Sequence, residues 1–191
     1  MIRNIYKYFR RSEEGSLSVE TVFALPMLVW AITATFVFWD AFKTLNVSQK
    51  ATYTVADMLS RETQAIDADY LTGMHELFDY LSSTPGDNAL RVTVVRMVED
   101  ATTGVKSREL VWSQGVGGST GYTDLTVIEP RLPDMAAGDQ LIIVESEQDW
   151  SPAFTVGLAS YRFREVAIAR PRFAPQLIWD ASSGTPTGGS A

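Results

Sequence analysis

From Thr21 to Trp39 the chain carries no ionisable side chain, and only Thr21, Thr33, Thr35 and Pro26 interrupt its aliphatic and aromatic residues. At about 1.5 Å rise per residue, a helix from Val19 to Trp39 is roughly 30 Å long, the hydrocarbon thickness of a bilayer. The pattern therefore predicts a transmembrane helix over 16–39, with Pro26 as a kink. From Asp40 onward apolar positions continue at helical spacing: Leu45, Thr52, Val55, Leu59 and Ile66 lie three, four or seven apart, with Lys50, Asp57 and Glu62 off that line. The simplest expectation is one long helix running from the membrane into a stalk. A second helix is expected after "DAD", where Asp67 or Asp69 supplies a cap, with Leu71, Met74, Leu77, Phe78 and Leu81 on one stripe and "SSTPGDN" as its stop.

Beyond Pro85 the period changes from helical to alternating. "LRVTVVRMVE" and "SRELVWS" are rich in β-branched residues and are joined by "DATTGVK", which reads as a hairpin turn. Further strands are expected at about 140–147 and 160–170, with "RLPDMAAGD" and "DWSPAFTVGLA" as turns or loops. Strands clustered after helices predict an α+β module, an antiparallel sheet packed on helix. The helical stalk and second helix fall in 40–84 and the sheet in 85–180. The tail 181–191, "ASSGTPTGGSA", is too small and polar to bury a core and is expected to be disordered.

Charge and composition narrow the chemistry. A formal charge of -7, with Lys and Arg scattered along the 191 residues, argues against nucleic-acid binding, which needs a basic surface. There is no cysteine and one histidine, so thiolate chemistry is absent and most hydrolytic triads and zinc sites lose their usual parts. His75, without a clustered partner in sequence, reads as an ordinary surface or edge residue. The stretch "QGVGGSTGYTD" lacks the lysine and the strand-to-helix setting of a phosphate loop and reads as a flexible connection. Glu145, Glu147 and Asp149 alternate along one face of a strand, which reads as a solvated sheet face; they lack the spaced glycine loop of a calcium motif. Arg162, Arg164, Arg170 and Arg172 are candidates to pair with them across strands. No catalytic set, metal site or cofactor is expected.

Arg3, Lys7, Arg10 and Arg11 precede the apolar run, whereas Asp40, Lys43, Lys50 and Asp57 follow it in near balance. This asymmetry keeps the N-terminus cytoplasmic and places the bulk of the chain outside. A cleaved secretory signal fits poorly, because its apolar core is shorter than this one and ends at small residues rather than "FVFWDAF". Twin-arginine export is weakened by the two acids after Arg10-Arg11. An uncleaved signal anchor, carrying a periplasmic ligand-binding or enzymatic domain, fits length and charge but gives no reason for Glu20. A carboxylate at the head of a membrane run costs a few kcal/mol and is usually functional, unless it merely snorkels into the headgroup layer.

The order of basic leader, Gly15, "SLSV", Glu20 and apolar run resembles the class III leader of type IV pilins and their minor relatives. More narrowly, "GSLSVETVFALPML" resembles the TadE-like branch of minor pseudopilins of the tight-adherence (Flp) pilus system, with Val19, Glu20, Ala24, Leu25 and Pro26 in place. "LNVSQKATYTVADMLSRE", "AGDQLIIVESEQDWSPAF" and "YRFREVAIARPRF" are similar to the family's helical continuation and distal strands. Thr21 departs from the aromatic that commonly follows the glutamate.

The resemblance implies a pilin-like fold and cleavage after Gly15 by a prepilin peptidase, which leaves residues 1–15 as leader and Ser16 as the new N-terminus. It also implies a role for Glu20 in assembly with other pilin or pseudopilin subunits and the inner-membrane machinery. The implied location is the bacterial inner membrane, in contact with lipid and with a periplasmic head. The implied function is initiating, capping or regulating a thin adhesive pilus. The pairing is physically coherent, since a Ser16 ammonium and a neighbour's Glu20 carboxylate neutralise one another where either alone is costly.

Overall fold

The computed structural model describes residues 14–83 and 87–183. The leader predicted at 1–15 lies outside the described residues except for its last two positions. The tail does so from residue 184, and Ala181–Ser183 forms a 3-10 turn. The first helix, α1, runs without a break over Glu14–Arg61, and no glycine occurs from Ser16 to its end. Pro26 lies inside it. Thr33 and Thr35 turn their hydroxyls back onto the carbonyls of Val29 and Ala31, both at 2.8 Å, which satisfies those groups inside an apolar stretch.

The chain forms two compact units. One holds α1 as far as Phe42 together with Pro152–Ala159, and the other holds Lys43–Ser151 with the chain from Ser160 onward. In the second unit α1 buries a single stripe, Ala51, Val55, Ala56 and Leu59, against the sheet and the second helix. It stops at Arg61, short of the predicted Ile66. Arg61 reaches back to Asp57 at 2.7 Å, one turn earlier and close to the negative end of the helix dipole. Ile66 is instead extended and buried: its N–H donates to Ile178 at 2.9 Å and its carbonyl accepts from Asp180 at 2.8 Å, a short parallel bridge to the C-terminal segment. The helix cannot continue through this point, because Asp67 immediately after it caps the next one. Its carboxylate accepts the Tyr70 N–H at 2.8 Å.

Helix α2, Ala68–Ser82, buries Leu71, Met74 and Phe78 as expected from their spacing. It ends at Ser83, whose left-handed backbone (φ 54) brings its N–H to the Asp79 carbonyl at 3.1 Å. The Tyr70 hydroxyl donates to Glu62 at 2.6 Å and ties the interhelical link to α2. Burial and that carboxylate push its titration well above the ordinary tyrosine range.

Four strands follow: β1 (Ala89–Glu99), β2 (Lys106–Val116), β3 (Gln140–Trp150) and β4 (Tyr161–Ala169). They form one antiparallel sheet in the order β2-β1-β3-β4. The α+β layout and the β1–β2 hairpin match the sequence expectation. On one face, Leu90, Val92, Val94, Ile142 and Val144 join the helices in the main core. On the other, Val95, Met97, Leu141 and Ile143 pack under Ile128, Leu132 and Met135 in a second core. The segment "RLPDMAAGD", expected only as a turn, therefore covers part of the sheet.

The glycine-rich stretch is likewise no flexible connection. Gln114–Val116 belongs to β2, and Gly117, at φ +66, has no room for a Cβ against the Asn88 carbonyl and the His75 ring. Gly121 lies equally close to the Ser113 backbone. The C-terminal segment is strapped down at Leu177, whose N–H donates to Gln140 Oε1 and whose carbonyl accepts from Trp112 Nε1, each at 3.0 Å.

The helix–sheet seam contains a polar band among these apolar contacts. Thr52 donates to the Ser48 carbonyl at 2.8 Å, so the 2.6 Å contact with Ser146 uses the Ser146 proton. Beside it on β3, Gln148 is fully buried and neither amide atom has a protein partner. An unpaired buried amide costs about 1–3 kcal/mol. Gln148→Met, which keeps the length and removes both polar atoms, is expected to raise the thermal unfolding midpoint of the detergent-solubilised chain. A lowered midpoint would show that ordered water holds the amide.

Candidate functional site

The sequence-predicted site residues all lie on α1. Gly15 and Ser16 stand in its first turn, Glu20 one turn further on, and Pro26 beyond that. Ser16 and Glu20 are four residues apart, about 6 Å along the axis, so a charge at the one is within a turn of a charge at the other. Glu20 is exposed, and so is every residue from Val19 to Ile32, including Val22, Phe23, Leu25, Met27, Leu28, Val29 and Trp30. The Phe36 and Trp39 rings lie 6.0 Å apart, tilted at 46°, near the end of the same stretch and are exposed as well. The helix has a window of mean hydropathy 2.0, only 11% buried, and is long and apolar enough to cross a membrane. From Val19 to Ile32 the helix is apolar on all sides and exposed, the pattern of a candidate membrane span by length and composition.

A second cluster sits on the sheet. Along the outer face of β3 the side chains change character at Glu145: Leu141 and Ile143 belong to the second core, while Glu145, Glu147 and Asp149 meet arginines. Glu145 is bound by Arg91 at 3.0 Å, Tyr122 at 3.2 Å and Arg131 at 3.8 Å, and its side chain is only 12% exposed. Arg91 also stacks on the Tyr122 ring at 4.1 Å. Glu147 pairs with Arg162 at 3.1 Å and Arg164 at 3.2 Å. Arg162 grips Asp149 with two parallel bonds of 2.6 and 2.7 Å, the fork geometry that suits guanidinium to carboxylate.

Glu145 therefore lies inside a network, contrary to the solvated face expected from alternation. Arg91, Tyr122 and Arg131 were missed because they are distant in sequence. Arg162 and Arg164 do pair with the acidic strand, whereas Arg170 pairs with Asp139 and Arg172 with Asp57. Burial, with Glu145 nearby, raises the Tyr122 titration. The groove here, about 540 Å³, has Arg91, Arg131 and Arg164 facing Glu145, Glu147 and Glu165. The arginines pair with Glu145 and Glu147, and the geometry is that of a structural clasp, while burial raises the titration of Glu165.

His75 is part-buried, with its side chain 18% exposed. Its Nε2 lies 2.8 Å from the Asn88 carbonyl, while Asn88 donates to Asp79 at 2.8 Å, so the imidazole fastens α2 to the start of β1. Among the described residues no group of three His, Asp or Glu side chains is placed to hold a metal ion. Compared with known proteins, the chain matches no family model, no curated protein and no solved structure.

The Arg162 fork holds the Asp149 carboxyl below the ordinary aspartate range. A depressed carboxylate contributes stability that is present above its unfolded titration point and lost as pH falls through the folded one. In Arg162→Gln the Asp149 titration, followed by carboxyl-carbon NMR, is expected to move upward into the ordinary range. An unchanged titration would assign the depression to another group.

Proposed function

We propose that this chain is a minor pseudopilin-like subunit of a Flp/Tad-type adhesive pilus, cut by a prepilin peptidase after Gly15 and held in the bacterial inner membrane by α1. The observation that carries the reading is Glu20. It is a lone carboxylate at the head of an apolar run exposed on every side from Val19 to Ile32, one turn beyond the Gly15–Ser16 bond, on a helix that continues as the stalk of an α+β head. A simple anchor needs the apolar length but not the acid. Subunit assembly uses both, because the Ser16 ammonium released by cleavage has a neighbour's Glu20 as a counter-charge in a poorly solvated setting. The basic N-terminal flank favours a cytoplasmic leader, where a peptidase on that side of the membrane reaches it, and a periplasmic head. No part of the proposal requires a cofactor or nucleic acid.

Two measurements test it. The mature chain is expected to begin at Ser16, and a bulky replacement at Gly15 is expected to block the cut. Removal of the leader's four Lys or Arg and two Glu takes away a charge of +2 and changes the formal charge from -7 to about -9. Mass spectrometry of membrane fractions showing an intact Met1 terminus beside an active prepilin peptidase would favour an uncleaved single-pass protein with a ligand-binding or enzymatic head.

Separately, Glu20→Ala is expected to insert and to be cut, since losing a charge eases insertion. It should nevertheless lower pilus number at least about tenfold, because a broken pair in a poorly solvated place costs about 3–5 kcal/mol. Glu20→Asp should be intermediate. Normal pili from Glu20→Ala cells that require the protein would reduce Glu20 to a headgroup-level residue.

A further inference from the structure

From Val19 to Ile32 α1 is exposed on every side, but Ala34 and Val37 are 9% and 2% exposed and Thr33 is half-buried. These positions share one helical face. The segment in the same compact unit is Pro152–Ala159, the tip of the β3–β4 hairpin. We infer that this tip is a second membrane contact of the chain, lying in the interfacial layer of the bilayer against lipid headgroups and the upper acyl chains. The inference rests on reading the apolar run of α1 as the membrane span.

Depth comes from the helix itself. Val37 and Ala34 lie two and five residues before Trp39, about 3 and 8 Å inside the end of the apolar run. That is the depth at which interfacial segments sit, about 5–10 Å into the headgroup and acyl boundary. The composition of the tip agrees. "SPAFTVGLAS", from Ser151 to Ser160, contains no ionisable residue, and Phe154 is 56% exposed. At the base of the tip Tyr161, opposite the buried Trp150, is exposed, and tyrosine is an aromatic type that favours a membrane–water boundary. The first charges on either side, Asp149 and Arg162, are already paired with each other and bring no bare charge toward lipid.

The layer is bounded from the other side as well. The tip is irregular, with Val156 N–H to Phe154 carbonyl at 3.1 Å as its one internal turn bond. Irregular backbone needs water for its remaining groups and is excluded from the hydrocarbon centre. The tip therefore rests at the surface of the bilayer and does not cross it. By contrast, the β1–β2 turn at 100–105 lies at the opposite end of the sheet, since the β1–β3 register sets Ala89 opposite Glu147 and Arg96 opposite Gln140.

Because the protein has no cysteine, single-cysteine spin labels report one position each. The full chain, reconstituted in phosphatidylethanolamine–phosphatidylglycerol vesicles, would carry the label at Ala153→Cys, Leu28→Cys or Ala101→Cys, and collision rates with oxygen and with a water-soluble nickel chelate would be measured. For Ala153→Cys the oxygen rate should rise and the nickel rate should fall several-fold relative to Ala101→Cys, to a ratio between those of Ala101→Cys and Leu28→Cys. Adding Phe154→Asp should return the ratio toward the aqueous value.

Low rates with both reagents at Ala153→Cys would mean burial in protein and would overturn the inference. A ratio equal to that of Ala101→Cys, with Leu28→Cys in lipid, would overturn it and leave the span intact. An aqueous ratio at Leu28→Cys would remove the span and the inference together.

Discussion

The constraint on which the structure depends is that one unbroken helix, α1, carries two different side-chain patterns along its length. Backbone hydrogen bonds closed within the helix satisfy its donors and acceptors whatever its side chains face, and the same ladder runs on to Arg61. What changes along its length is the side chains. The first half is apolar on all sides, while the second half is apolar on one stripe, Ala51, Val55, Ala56 and Leu59, and polar elsewhere. The stripe half packs on the sheet and second helix, whereas in the first half the buried apolar positions among the described residues are Ala34 and Val37.

The head solves a different problem. An antiparallel sheet resting on helices by one face ordinarily leaves the other to water. Here that other face is divided. Val95, Met97, Leu141 and Ile143 are covered by the long β2–β3 connection, and the remainder is closed by the Arg91, Tyr122, Arg131, Glu145 and Glu147 network. Charge pairs on a partly exposed surface contribute little each. Their joint effect is to hold the β2–β3 connection over the sheet, through Tyr122 and Arg131.

The acidic strand, His75 and the glycine-rich segment read in sequence as a solvated face, an ordinary surface or edge residue and a flexible connection, and serve as fasteners in structure. His75 meets the Asn88 carbonyl, and Gly117 is small because that same carbonyl and the imidazole occupy the space a Cβ would take. Among the described residues, the longest exposed apolar stretch is that of α1 from Val19 to Ile32, with Glu20 near its head.

Local physics was enough for the sequence to determine much of this. The apolar run, the period of α2, the Asp67 cap and the alternation of β1 to β4 are properties of neighbouring residues, so element type and the α+β class were legible without coordinates. The boundary of α1 was not, because Ile66 continues the helical spacing and leaves it only to pair with Trp179, more than a hundred positions away. For the same reason spacing alone misread Glu145: alternation puts it on the outer face, but whether that face is wet depends on Tyr122 and Arg131 arriving from a distant loop. The sequence also placed Gly15, Ser16, Glu20 and Pro26 in order along a single helix, since they are consecutive turns of it. Only the tertiary structure decided that "SPAFTVGLAS" returns to the flank of that helix, because a loop's destination is set by the strands that aim it and not by its own residues.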